Sequence, residues 1–262
     1  MSVLIAIPAR YASTRYPGKP LVALSGPDGA KTLIRRSWDA AMTVKGVDRV
    51  VVATDDTRIR DHAEGFGAEV VMTASTCQNG TERCAEVAAL LPGFDVVVNL
   101  QGDAPLTPAW FVEDLVAGLL ADAEADLATP VLRCEGRMLA GLLADRRAGR
   151  VGGTTAVFGA AMRGLYFSKE VIPFTDKDFP DDAPTPVFHH VGVYAYRPRA
   201  LAEYPTWPVG PLERLEGLEQ LRFLEQGRQV LCVEVAARGR QFWELNNPSD
   251  VAVIEAMMAA MG

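Results

Sequence analysis

Residues 3–21 read VLIAIPARYASTRYPGKPL, an apolar run that stops at a proline and opens into a loop carrying Arg10, Arg15 and Lys19. The run Val3–Ile7 has the length and unbroken apolar character of a strand covered on both faces, as in a parallel sheet. Three cations in so short a loop cannot belong to a core. They are interleaved with Ser13, Thr14 and Gly18, so permanent charge, hydroxyl donors and an unencumbered backbone occur together. A solvated basic loop needs no such company, whereas a chain of phosphates uses all of it. In an open α/β sheet, ligands sit beyond the carboxyl ends of the strands, which is where this loop emerges.

Further short apolar runs, Val50–Ala53, Val70–Met72 and Val96–Leu100, follow at intervals filled by helical patterns. Ile34, Trp38 and Ala41 share one helical face, and Cys84, Val87, Ala88 and Leu91 another. Such alternation predicts βαβ units. The expected fold is α/β, a single Rossmann-like three-layer domain over 1–262 with a mixed, mainly parallel sheet. Past Ala125 the pattern changes. Leu127–Leu132 and LYFS (165–168) read as strands, Gly136–Gly164 has no assignable pattern, and Pro173–Pro186 is a Pro/Asp-rich loop. The run HHVGVYAYR (189–197) predicts one strand with His190, Gly192, Tyr194 and Tyr196 on one face. About 165–210 is expected to be an inserted region at a dimer interface. A helix over 211–226, a strand over 230–235 and a last helix starting at Asn246-Asn247-Pro248 complete the chain.

Composition narrows the function. With 262 residues, 49% of them hydrophobic, a substantial core is available. A net charge of −7 without any basic block argues against a nucleic-acid partner. The apolar start ends at Arg10, short of a signal h-region and far short of the ~20 residues of a bilayer span, so a cytoplasmic protein without a membrane partner is expected. The four cysteines lack paired metal-ligand spacing and read as reduced, mostly buried thiols. No G-x-G-x-x-G follows the first strand, and Gly18-Lys19 is followed by Pro20, so dehydrogenase and P-loop readings are both disfavoured.

The stretch IPARYASTRYPGKPL (7–21) resembles the opening of the 3-deoxy-manno-octulosonate (Kdo) cytidylyltransferases, a family related to the sialic-acid CMP synthetases. The similarity continues through VVATDD (51–56), NGTERCAEV (79–87), NLQGDAP (99–105), LYFS (165–168), HHVGVYAYR (189–197) and PLERLEGLEQLR (211–222). The resemblance implies a nucleotidyltransferase fold and transfer of CMP from CTP to the anomeric hydroxyl of Kdo with release of pyrophosphate. It further implies Mg²⁺ as cofactor, a homodimer, and a place in lipopolysaccharide or capsule synthesis. Two alternatives stay open: a CMP synthetase for another ulosonic acid, and a metal-impaired, non-catalytic sugar-nucleotide sensor.

Carried onto this chain, the resemblance makes Lys19, Arg10, Arg15 and Asp103 catalytic, with Lys19 near the α-phosphate. Arg10, Ser13, Thr14, Lys19, Gly80, Thr81, Arg83 and Gln101 would hold the nucleotide, the segment 79–83 reading cytosine. Thr81 also reads as a helix N-cap. Gln101, His190, Tyr194, Glu219 and Gln220 would hold the sugar acid. Glu213, Glu216 and Gln220 share one face of the predicted helix, which a solvated surface would also produce. For the metal, Asp103 ends the apolar strand VVVNLQG, and magnesium needs few protein carboxylates. Its expected partner is Asn246, which stands where the family has the first Asp of Val-Asp-Thr-Pro-Glu-Asp. Two further departures fall on the sugar side: 152–157 lacks the family's lysine, and Lys169 replaces the arginine of YFSR.

Overall fold

The apolar opening run forms β1 (Val3–Ala9), in which every residue except Pro8 is buried. The computed structural model describes residues 1–13, 16–151, 153–240 and 243–261; Thr14 and Arg15, expected at the phosphates, lie outside the described residues. After β1 come an antiparallel hairpin of β2 (Ala23–Gly26) and β3 (Gly29–Thr32), then α1 (Leu33–Met42), β4 (Arg49–Thr54), α2 (Thr57–Gly65), β5 (Glu69–Met72), α3 (Gly80–Leu90) and β6 (Val96–Leu100). These are followed by α4 (Ala109–Ala121), β7 (Leu127–Glu135), α5 (Gly136–Arg147), β8 (Thr154–Phe158), β9 (Gly164–Ser168), β10 (Pro184–His190) and β11 (Val193–Tyr196). The chain closes with α6 (Pro198–Glu203), α7 (Pro211–Glu216), α8 (Leu221–Glu225), β12 (Val230–Glu234) and α9 (Asp250–Met261).

Two compact units divide these elements. One is Met1–Glu113 with Ala195–Ala202 and Ala237–Gly262; the other is Asp114–Tyr194 with Glu203–Ala236. In the first unit β5, β4, β1 and β6 pair in that order, all parallel. Parallel pairing brings their carboxyl ends, and the loops that follow them, to one edge. Leu4, Ile5, Val52 and Val98 are wholly buried, as are Ile34 of α1 and Cys84 and Val87 of α3. The helical stripes are therefore core-facing, and the sheet is the mixed, mainly parallel one expected.

In the second unit β10 lies antiparallel between β7 and β8, β9 lies antiparallel on β8, and β12 runs parallel to β7. This unit starts at Asp114, well before the expected insertion at 165–210. Its anchor is a buried ion pair: Arg222 Nε and Nη2 donate to Glu213 Oε2 and Oε1 at 2.6 and 2.8 Å, and the guanidinium lies 4.1 Å from the Tyr204 ring centre.

Three sequence readings change, and one element, the β2–β3 hairpin, was not read. Gly136–Gly164 contains α5 and β8, with Leu139 and Leu142 packed on Cys134 and Val187. HHVGVYAYR is two strands rather than one, because Val193 N–H turns back onto the Val191 carbonyl at 2.7 Å and breaks the alternation. The helix expected over 211–226 breaks at Gly217, whose φ of +63° is the left-handed conformation that closes α7. The β2–β3 hairpin had a readable signal in Gly26-Pro27-Asp28-Gly29, a turn sequence with proline at its second position. Arg36 secures that hairpin, donating to the Leu24 carbonyl at 2.8 Å and the Gly29 carbonyl at 2.6 Å.

Candidate active site

The loop after β1 folds back on itself. The Tyr11 carbonyl accepts the N–H groups of Ser13 at 3.0 Å and Gly18 at 2.9 Å. Gly18 has φ +72°, and a Cβ there would meet the Tyr11 ring at 3.0 Å, so the turn needs glycine on both counts. It delivers Lys19 to the start of a 3₁₀ turn, Lys19–Leu21. Lys19 Nζ donates to Asp103 Oδ2 at 2.5 Å and to the Leu245 carbonyl at 3.1 Å, with the two side chains 15% and 22% exposed. Arg10 stands exposed at the end of β1.

Asp103 reaches Lys19 because the chain leaving β6 runs tightly against β1. A Cβ on Gly102 would stand 2.7 Å from the Pro8 carbonyl oxygen, and Ser37 Oγ donates to the Gly102 carbonyl at 3.0 Å. The Asp103 carbonyl in turn accepts Leu245 N–H at 2.9 Å. Leu245 is wholly buried among Leu24, Leu33, Leu106, Ile254 and Met258, which fixes the segment carrying Asn246 beside Asp103. The expected Asn-Asn-Pro cap of the last helix is not what forms. Instead the Asp250 carboxylate accepts the N–H groups of Asn246 at 2.9 Å and Asn247 at 2.6 Å, and α9 starts at Asp250 itself.

This donor set fits magnesium. One partly exposed carboxylate with an amide-bearing residue on the adjoining segment is a hard-oxygen pair, and magnesium completes its octahedron with phosphate and water oxygens. Among the described residues no group of three or more His, Cys, Asp or Glu side chains forms a closed metal cage.

The segment expected to read cytosine is differently built. Asn79, not Thr81, is the N-cap of α3, its Oδ1 accepting Glu82 N–H at 2.9 Å. Thr81 is buried, with Oγ1 2.7 Å from the Tyr196 hydroxyl. Arg83 is 3% exposed, pairs with Asp55 at 3.3 Å and also donates to Thr73 Oγ1. Both side chains brace the first turn of α3 against its neighbours. Gly80 has a steric reason to be glycine: a Cβ there would stand 3.0 Å from Asn99 Nδ2 and 3.2 Å from Gln101 Nε2. That approach holds half-buried Gln101 against the start of α3.

Of the residues expected at the sugar acid, His190, Tyr194, Glu219 and Gln220 fall in the second unit and Gln101 in the first. The His190 ring centre lies 5.7 Å from that of Tyr194, and the Tyr194 hydroxyl donates to Gln220 Oε1 at 3.0 Å. Gln220 is 1% exposed, and its Nε2 has no hydrogen-bond partner among the described residues. A buried amide donor in that condition suits a carboxylate or hydroxyl oxygen. The neighbouring Glu219 is fixed through its carbonyl, which accepts the Tyr204 hydroxyl at 3.1 Å. Glu213 and Glu216 do not join this group. Glu213 holds Arg222, and Glu216 accepts Ser168 Oγ at 2.7 Å and Lys169 N–H at 3.0 Å.

Sequence reasoning missed several residues. Asp56 caps α2 and pairs with Arg58, whose guanidinium lies 3.3 Å from the Tyr11 ring centre beside the phosphate loop. The Asp-Thr-Arg order after a strand is a legible cap. Asn99 is wholly buried, and among the described residues neither of its amide atoms has a hydrogen-bond partner. Thr129, also wholly buried, touches His190; no local pattern marks it. The cysteines are free thiols, three buried and Cys77 half-buried. Burial pushes Cys134 up to about 11 and Cys232 up to about 12, which keeps both as protonated thiols at neutral pH.

A family model described as cytidylyltransferase matches residues 4–230. A 3-deoxy-manno-octulosonate cytidylyltransferase of Maricaulis maris (strain MCS10) is 45% identical, covering 100% of this chain and 99% of its own. An 8-amino-3,8-dideoxy-manno-octulosonate cytidylyltransferase of Shewanella pealeana (strain ATCC 700345 / ANG-SQ1) is 38% identical, covering 98% and 99%. Among solved structures, CMP:2-keto-3-deoxy-manno-octonic acid synthetase complexed with CTP matches with a TM-score of 0.84 at 32% identity over the whole of both chains.

Proposed function

Since the chain belongs to the cytidylyltransferase family, we propose that it transfers CMP from CTP to the anomeric hydroxyl of Kdo, releasing pyrophosphate. The observation that carries this is the convergence of Lys19, Asp103 and the 245–246 segment at the sheet edge where the phosphate loop opens.

In the reaction the sugar hydroxyl oxygen bonds to the α-phosphorus, the bond from that phosphorus to the bridging oxygen breaks, and the hydroxyl proton is released. Lys19 and Arg10 supply positive charge to the phosphate oxygens as the negative charge redistributes, and Arg15 belongs to the same loop. Asp103 holds the Lys19 ammonium in place. Asp103, with Asn246, would hold a magnesium ion, which would supply charge neutralisation at the phosphates. The first turn of α3 with Gly80 and Gln101 takes the nucleoside. His190, Tyr194, Glu219 and Gln220 take the sugar acid, the Gln220 amide facing its oxygen atoms.

The same reading includes a homodimer, a cytoplasmic location and supply of an activated sugar to lipopolysaccharide or capsule synthesis. Exposed Leu165, Phe174 and Leu215 in the second unit support a second copy as partner. Among the described residues no helix is long and apolar enough to cross a membrane. The deciding experiment measures pyrophosphate release with each of the four nucleoside triphosphates against Kdo, its 8-amino analogue and sialic acid in the presence of Mg²⁺. Turnover confined to CTP and greatest with Kdo is expected. CTP binding by folded protein without turnover on any acid rejects the enzyme.

A further inference from the structure

Thr129 sits on β7, wholly buried, with Oγ1 2.8 Å from His190 Nε2, 2.9 Å from the Val193 carbonyl oxygen and 3.5 Å from the Val191 carbonyl oxygen. A threonine hydroxyl has one proton, and a carbonyl oxygen can only accept. Were that proton given to His190, the hydroxyl and the Val193 oxygen would face each other at 2.9 Å with nothing between them. The proton therefore goes to Val193, and the contact with His190 must be a donation from Nε2–H.

We propose that Thr129 is a positioning residue that locks His190 in the Nε2–H tautomer, leaving Nδ1 as the acceptor for a hydroxyl of the sugar acid. Burial, with His189 adding to it, pushes His190 down to about 3, so the imidazole is neutral and carries one N–H at any working pH. Ring contacts fix the plane, with the Phe167 centre 4.9 Å and the Tyr194 centre 5.7 Å from that of His190. Among the described residues Nδ1 has no hydrogen bond from the protein. A hydroxyl partner at Nδ1 is distinguished from the carboxylate of the same substrate, which cannot donate. The inference rests on the reading that His190 lines the sugar-acid pocket.

The test is the ¹⁵N spectrum of histidine-labelled full-length protein, with His190 assigned by the loss of its signals in His190→Gln. Wild type is expected to show protonated Nε2 and unprotonated Nδ1. Thr129→Val, which keeps the shape and deletes the hydroxyl, should populate the Nδ1–H form and raise KM for the sugar acid about tenfold at unchanged KM for CTP, the loss of roughly one hydrogen bond. Thr129→Ser should restore both. An Nδ1–H tautomer in wild type overturns the proposal even where Thr129→Val fails to fold, as does an unchanged tautomer or an unchanged KM in a folded Thr129→Val. Wild type with the assigned tautomer but no turnover of any sugar acid with CTP instead rejects the functional reading and leaves the tautomer standing.

Discussion

Lys19 and Asp103, 84 positions apart in sequence, form a 2.5 Å ion pair that joins the loop after β1 to the end of β6. Leu245 completes the junction by accepting from Lys19 through its carbonyl and donating its N–H to the Asp103 carbonyl. The ammonium is thus held by groups that fix its position before any phosphate arrives, which is the preorganisation that charge stabilisation requires.

Replacing Lys19 by Met removes that charge while keeping the length of the stem. Turnover should fall about 100-fold or more, in the range found for deleting one preorganised donor. The melting temperature should move by only a few degrees, because a partly exposed pair contributes little net stability. Steady-state kinetics beside a thermal melt separates the two effects; a variant with near-normal turnover removes Lys19 from the machinery.

Asn246 follows Leu245, whose backbone is tied to Asp103, and its own N–H is held by Asp250. Asn246→Asp adds a second carboxylate without disturbing that backbone. The magnesium concentration giving half-maximal rate should fall several-fold, since ligand charge raises the affinity of hard cations. A magnesium titration of the rate checks this, and an unmoved midpoint places Asn246 away from the metal.

Arg222 and Glu213 are 2% and 9% exposed, and the turn between α7 and α8 that presents Glu219 and Gln220 depends on them. Arg222→Met leaves Glu213 buried without its cation and should cost about 3–5 kcal/mol in urea unfolding. Adding Glu213→Gln should recover part of the loss. A single variant as stable as wild type contradicts the assigned role.

His190 is held neutral in the fold, its pKa pushed from 6.5 down to about 3 chiefly by burial. The unfolded chain therefore binds more protons between those values, and stability must fall as pH drops below about 6.5, with loss continuing towards about 3. Between pH 7 and pH 5 His190 alone should remove about 2 kcal/mol. Urea unfolding of wild type and His190→Asn across that range isolates the contribution: the variant should have the shallower dependence, and equal slopes refute it.

Much of this was legible locally. Val3–Ile7, Val50–Ala53 and Val96–Leu100 lie within β1, β4 and β6, since a strand buried on both faces needs an unbroken apolar run. The loop after β1 was readable as a loop, because an apolar run that stops at a proline and opens into three cations cannot continue as a buried strand. Where two elements compete for one segment, the sequence was silent. HHVGVYAYR alternates well enough for one strand, and only the turn from Val193 onto Val191 makes it two. PLERLEGLEQLR has helical spacing throughout, yet Gly217 in the left-handed region separates Glu213 and Glu216 from Gln220.

The amino-acid sequence by itself determined the parallel core and the cation-rich loop that leaves β1, because these depend on residue type over a few neighbouring positions. Tertiary structure alone decided which charged and polar groups are spent on one another. Arg83 carries no local sign of its contacts with Asp55 and Thr73, and Thr129 reads as an ordinary strand residue until His190 lies 2.8 Å away. Hydrogen bonds and ion pairs have ranges of about 3–4 Å in space and no range in sequence, so the partner of a polar side chain is fixed only when the chain has folded.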